Sequence, residues 1–196
     1  MGTTPLSPGK KQLLTLLAQR SWRRGKVVLA SGKTSDFYID CKQTALSADG
    51  AALIGNLVCD YVQALRSRGV AVEGVGGITL GADPIAVAAA VTSVARGTPV
   101  HAFVIRKEPK GHGTVQWLEG GNNLRPGAPV LIVEDVVTTG GSTEKALARA
   151  TESGLVPVAI LCLVDREEGG RAKLEATGLA FEALVRRADF DALEAS

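Results

Sequence analysis

The chain has 196 residues, 45% of them hydrophobic and 21% charged, with a formal net charge of +2. That length suits one globular domain with a sizeable core, and the dispersal of Lys and Arg along the chain gives no case for a nucleic-acid-binding surface, so small-molecule chemistry is favoured. Cys41, Cys59 and Cys162 are odd in number and form no C-x-x-C pair, which argues against a disulfide framework and a structural zinc site. The segment MGTTPLSPGKKQLL lacks the unbroken apolar stretch of a signal peptide, and no window is long and apolar enough to span a bilayer; a cytoplasmic location is expected.

In chain order, SPGKKQLLTLLAQR predicts a first helix, capped by Ser7, with Pro8 in its first turn and Leu13, Leu14, Leu16 and Leu17 on one face. A longer helix runs from the capping residue Ser47 to Gly69, with Leu53, Leu57, Tyr61 and Leu65 spaced by four. AVEGVGG then reads as a buried strand, GADPIAVAAAVTSVA as an Ala-rich helix, VHAFVIR and APVLIVED as strands, STEKALARATESG as a helix and VPVAILCLVD as a strand. Continuous apolar strands separated by helices imply an α/β fold whose central, mainly parallel sheet is flanked by helices. Residues 107 to 127, rich in Gly, Lys, His and Asn, lack periodicity, and a long irregular stretch in a compact domain is usually functional or disordered.

The densest motif is VLIVEDVVTTGGST, residues 130 to 143. In an open α/β sheet ligands bind beyond the carboxyl ends of the strands, where Glu134 and Asp135 are expected to sit. The Thr138-Thr139-Gly140-Gly141-Ser142 run supplies backbone N–H groups and hydroxyls at the start of the next helix, which suits a phosphate. Carboxylates beside that cradle accept hydrogen bonds from vicinal hydroxyls, so the pattern describes a ribose 5-phosphate. The plainer alternative is that the acids cap the helix and the glycines turn the chain. GVGGITLG only approaches a dinucleotide fingerprint, since Thr79 stands where the third glycine belongs.

The motif resembles the signature of the type I phosphoribosyltransferases. The resemblance implies that Glu134 and Asp135 hold the ribose hydroxyls of phosphoribosyl pyrophosphate and that Val136, Val137, Thr138, Thr139, Gly140, Gly141 and Ser142 complete the binding segment. It makes Gly76 to Gly81 the pyrophosphate loop, with Gly77, Thr79 and Gly81 its binding positions. The spacing of Arg106, Lys107, Lys110 and His112 in RKEPKGHG resembles the mobile catalytic loop of orotate phosphoribosyltransferases, although charge alone would equally suit a solvated basic loop. SGKTSDFYID resembles their orotate-side segment, implying Lys33 and Tyr38 there, together with Thr138 and with Arg166 from VDREEGG. From the residues alone, Arg166 could instead form a surface ion pair with Asp165 or Glu167.

Those likenesses together imply a type I phosphoribosyltransferase fold over residues 1–196, with about 1–45 and a C-terminal segment forming a small hood over the base site. They imply transfer of ribose 5-phosphate to orotate with Mg2+ held through the substrate and water rather than by a dedicated protein cage. They also imply a homodimer sharing the loop, and neither nucleic-acid nor membrane partners. Two departures stand out: Thr34 occupies a position where the family often has a second basic residue, and the pyrophosphate loop has no lysine. A regulator of the same fold that binds phosphoribosyl pyrophosphate, or an enzyme for a purine base, are the rival readings; the basic loop and the cationic Lys33 and Arg166 favour anionic orotate. His101, Trp22, Trp117 and the cysteines are expected to be structural.

Overall fold

The computed structural model describes residues 6–28, 34–108 and 117–194. Helix α1 (Pro8–Arg20) starts at the expected signal: the Ser7 hydroxyl accepts the Lys10 amide at 3.4 Å, and Pro8 occupies the first turn, where its missing N–H has no helical partner to lose. Strands β1 (Trp22–Val28) and β2 (Thr34–Ile39) pair antiparallel as a separate two-stranded sheet. Their sequences, WRRGKVV and TSDFYI, carry no continuous apolar run and are not legible as buried strands.

A single turn, α2 (Lys42–Ala45), leads into α3 (Ala48–Ser67), which is capped by Ser47 and followed by Gly69 at φ 81°. The buried residues of α3 include Ile54, Leu57, Val58, Val62 and Leu65, whereas Leu53 and Tyr61 are only partly buried. A turn of about 3.6 residues drifts off the four-residue row, so the inner face follows the helix and not the spacing. The remaining elements are β3 (Gly74–Ile78), α4 (Ala82–Ala95), β4 (His101–Ile105), β5 (Leu118–Glu119), β6 (Pro129–Val137), α5 (Gly141–Glu152), β7 (Val156–Asp165), α6 (Gly170–Glu175), β8 (Ala180–Arg186) and α7 (Arg187–Glu194). Of these, β5 lies within the stretch expected to be irregular, where it is followed by a short 3-10 turn over Gly121–Asn123.

The larger sheet has the order β5-β4-β3-β6-β7-β8, parallel throughout except for β5, which runs antiparallel to β4. Parallel neighbours need crossover connections, which bring helices onto the sheet faces. On one side α1, α3 and α4 bury Leu17, Ile54 and Ile85 against Leu131, Val133 and Leu161. On the other, Ala146 and Ala150 of α5 pack on Val130 and Ile132, and Leu174 of α6 on Cys162. All three cysteines are free and buried. Among the described residues no helix is long and apolar enough to cross a membrane.

The hairpin β1–β2 is fastened to the chain's other end. Trp22, Phe37 and Phe190 form a three-ring cluster with centroids 5.2 to 6.1 Å apart. Asp36 accepts a hydrogen bond from Arg187 of α7 at 2.9 Å.

Candidate functional site

Strand β6 does not stop at the acidic pair. Glu134 is in register with Cys162, and the ladder continues through Val136 and Val137 to Asp165. Alternation along a strand sends adjacent side chains to opposite faces. Glu134 is 6% exposed and lies beside Ser142 at the start of α5. Asp135 faces the other way, against Gly81: a Cβ placed on Gly81 would lie 2.5 Å from the Asp135 carboxylate. Asp135 also accepts the Val136 amide at 2.9 Å.

Burial, and then the negative charge of Asp135, push the Glu134 carboxyl up to about 8. The folded chain therefore keeps a proton that the unfolded chain releases at ordinary carboxylate pH, and the associated stability is lost as pH rises toward 8. One such proton gives a slope of at most about 1.4 kcal/mol per pH unit. Glu134→Gln is expected to flatten the dependence of Tm on pH between roughly 5 and 8; thermal unfolding across that range checks it, and an unchanged slope would refute the assignment.

The phosphate-cradle candidate follows directly. Gly140 has φ 78°, in the left-handed region that favours glycine, and Gly141 and Ser142 are already in the first turn of α5. Nothing lies within 4 Å of a Cβ built on Gly141, so this turn faces open space. Its backbone is held from behind: Thr138 accepts the Gly170 amide at 2.9 Å, and a Cβ on Gly170 would sit 2.5 Å from the same carbonyl. Thr138 is half-buried, whereas Thr139 and Ser142 are exposed.

The expected pyrophosphate loop is shorter than Gly76 to Gly81, because Gly76, Gly77 and Ile78 belong to β3. Gly77 lies against β6, where a Cβ would come within 2.1 Å of the Val133 carbonyl; this is close strand packing rather than a loop position. Thr79 does leave the strand, but its hydroxyl donates to Asp83 at 2.7 Å in the first turn of α4. The Thr79–Leu80 peptide is cis. Thus Gly81 is the member of the predicted trio that meets Asp135.

Arg166 emerges at the end of β7, and its amide donates to the Val137 carbonyl at 2.9 Å, joining it to the end of β6. Its side chain is 13% exposed, pairs with Glu168 at 2.7 Å, and sits 5.6 Å from the centroid of Phe37. The ion pairs that sequence suggested with Asp165 or Glu167 are replaced, since Asp165 holds Arg171 and the Glu167 amide, while Glu167 accepts the Ala188 amide. Tyr38, on β2, is half-buried with Arg23 over its ring at 5.8 Å.

The root of the basic loop lies at the edge formed by β4 and β5. Arg106 pairs with Glu119 at 2.9 Å and donates to the Glu108 carbonyl, so its guanidinium is engaged locally. Lys107 is exposed. Lys33, Lys110 and His112 lie outside the described residues. Sequence reasoning overlooked Arg149 of α5, which donates to the carbonyls of Arg106 and Lys107 at 2.6 and 3.0 Å and covers Trp117 at 4.0 Å. His101 is exposed at the start of β4, the opposite end of that strand from Arg106.

No protein-family model matches the chain. It is similar to an orotate phosphoribosyltransferase of Sorangium cellulosum, 46% identical over 181 residues and covering 92% of each chain. The solved structure of the Mycobacterium tuberculosis H37Rv orotate phosphoribosyltransferase with Fe(III) dicitrate aligns with a TM-score of 0.78 at 35% identity, over 93% of this chain and 98% of that one. The same protein in complex with 5-phospho-α-D-ribosyl 1-diphosphate gives 0.74 at 33% over the same shares. A type I phosphoribosyltransferase sheet and 46% identity over 92% of the chain agree: the chain belongs to the orotate phosphoribosyltransferase family.

Proposed function

We propose that the chain transfers ribose 5-phosphate from phosphoribosyl pyrophosphate to orotate, giving orotidine 5-phosphate and pyrophosphate. The supporting observation is the meeting of Asp135, Gly81 and the open first turn of α5 at one end of the sheet, with Arg166 bonded to the end of the same strand. In this reading the amides and hydroxyls of Thr138 to Ser142 bind the 5-phosphate, with the positive end of α5 behind them. Glu134 and Asp135 accept the ribose hydroxyls. The orotate nitrogen bonds to the anomeric carbon as the carbon–oxygen bond to pyrophosphate breaks, through an oxocarbenium-like transition state akin to that of glycoside hydrolysis. Lys107, with Arg106, Lys110 and His112, neutralises the departing pyrophosphate. Because Arg106 is paired with Glu119, its part requires exchanging that partner.

Magnesium, a hard cation that keeps waters and shares substrate phosphates, would be held through phosphoribosyl pyrophosphate and water, with the Asp135 carboxylate available to accept hydrogen bonds from those waters. When bound it supplies charge neutralisation on the pyrophosphate. In this reading Lys33, Tyr38, Thr138 and Arg166 bind the base, and the β1–β2 hairpin with α7 forms the hood. Free, buried cysteines suit a reducing, cytoplasmic setting. Incubation with orotate, phosphoribosyl pyrophosphate and magnesium is expected to consume orotate absorbance, and excess chelator to stop it. Orotate left intact, or turnover persisting in chelator, would overturn the reading.

A homodimer completes this reading. Leu46, Leu80, Val87, Val91 and Val94 are 53 to 70% exposed along α4 and its flank, beside the turn that carries Gly81. An apolar surface of this kind marks an association site. A partner docked there can deliver its loop to the neighbouring site. Mixing Lys107→Ala and Asp135→Asn proteins is expected to restore activity above the average of the two, and adding Val91→Glu to both to abolish the restoration. Simple averaging in the first mixture after re-equilibration would mean that the loop acts within its own chain or that no dimer exchanges.

A further inference from the structure

Arg149 sits near the end of α5, and sequence alone accounts for it as a cation that offsets the negative end of a helix. Its contacts point elsewhere. Side chains on a helix tilt toward its N-terminus, which carries the Arg149 guanidinium back toward the loop root. There its Nη1 and Nη2 donate to two consecutive main-chain carbonyls, those of Arg106 and Lys107. The face of the same group lies 4.0 Å from the Trp117 ring centroid. Arg106 immediately follows β4 and Trp117 immediately precedes β5, and the two are joined by the Arg106 amide donating to the Trp117 carbonyl at 2.9 Å.

A single half-buried cation therefore touches both roots of the basic loop. We infer that Arg149 is a positioning residue for the transfer reaction: it fixes the backbone that aims Lys107 at the leaving pyrophosphate. The inference rests on the proposed catalytic role of Lys107. A planar fork satisfies two carbonyls and stacks on an indole at once, whereas a lysine ammonium is a compact charge that cannot reproduce the set. The helix that carries Arg149 in its third turn also carries the proposed phosphate cradle in its first. In a dimer that shares the loop, one rigid helix thus holds both the root of the loop given to the neighbour and the chain's own phosphate cradle. Interactions made chiefly in the transition state act on kcat, so loss of the clamp is read there and not in orotate binding.

The experiment is steady-state kinetics on Arg149→Met, Arg149→Lys, Lys107→Ala and the double variant Lys107→Ala/Arg149→Met, with Tm measured for each. Arg149→Met is expected to lower kcat about tenfold, or about 1.4 kcal/mol of barrier, with the orotate KM within about twofold of the parent. Arg149→Lys is expected not to rescue it. In the Lys107→Ala background the same Met substitution should cost less than about twofold, because there is no ammonium left to aim. If Lys107→Ala leaves kcat intact, the catalytic reading of that residue fails. If Lys107→Ala is impaired but Arg149→Met keeps its full penalty in that background, only the positioning inference is overturned. A Met variant that fails to fold, or one that raises the orotate KM as much as it lowers kcat, overturns it as well.

Discussion

Replacing Asp135 by Asn is expected to lower kcat/KM for phosphoribosyl pyrophosphate by about ten- to a hundredfold while leaving Tm close to the parent. The carboxylate is half-buried and accepts the Val136 amide at 2.9 Å, which leaves it acceptor capacity for a ligand. A hydrogen bond to a charged group contributes roughly 1.5 to 3 kcal/mol, and 1.36 kcal/mol corresponds to about a factor of ten in rate. Asn is nearly isosteric, and its oxygen can keep the Val136 bond, so the fold has little reason to respond. Gly81→Ala supplies a companion test, since a methyl there would lie 2.5 Å from the same carboxylate and must displace it. Steady-state kinetics with each substrate varied in turn checks both. An unchanged specificity constant for Asp135→Asn would remove the acidic pair from substrate binding.

The second large effect concerns the base. Arg166→Ala is expected to raise the orotate KM by about ten- to a hundredfold, with a much smaller change for phosphoribosyl pyrophosphate. Arg166 is held between Glu168 and the Phe37 ring, with 13% of its side chain exposed, so its guanidinium is oriented before any ligand arrives. Arg166→Lys should recover little, because a planar group stacked on an aromatic ring matches a planar anion in a way an ammonium does not. If the pair with Glu168 were the whole function of Arg166, Glu168→Gln would reproduce the loss. Near-normal orotate KM in Glu168→Gln, with a large rise in Arg166→Ala, separates binding from support. Equal damage to both substrates would make Arg166 structural.

The parts of the fold legible in the sequence are those governed by local rules. Ser7 and Ser47 cap the helices they were expected to cap, and the unbroken apolar run of β7 is the strand it resembles. What stayed hidden depends on distant partners. TSDFYI is a strand because WRRGKVV pairs with it, and β8 because β7 lies beside it; neither short segment declares itself. Within the site, Glu134, Asp135 and Gly140 were legible because few physical reasons place such residues together. The limits of the pyrophosphate loop were not: the sequence GVGGITLG does not say that Gly77 has a carbonyl of β6 where a side chain would go. Arg149 was illegible for a different reason. A basic residue late in a helix is ordinary, and nothing in its neighbours reveals a main-chain partner 42 or 43 residues away.

The clasp of Trp22, Phe37 and Phe190 sets an order on biosynthesis. Asp36 and its partner Arg187 are 151 positions apart, so a chain emerging from the ribosome makes the hairpin long before it makes the helix that holds it. The phosphate cradle joins the end of β6 to the start of α5 and is backed by Gly170, a support that also precedes Arg187 in the chain. Loop-closure entropy must be overcome before so distant a contact contributes. The proposed base site, which needs the chain's last helix, is thus the last portion of the molecule to close.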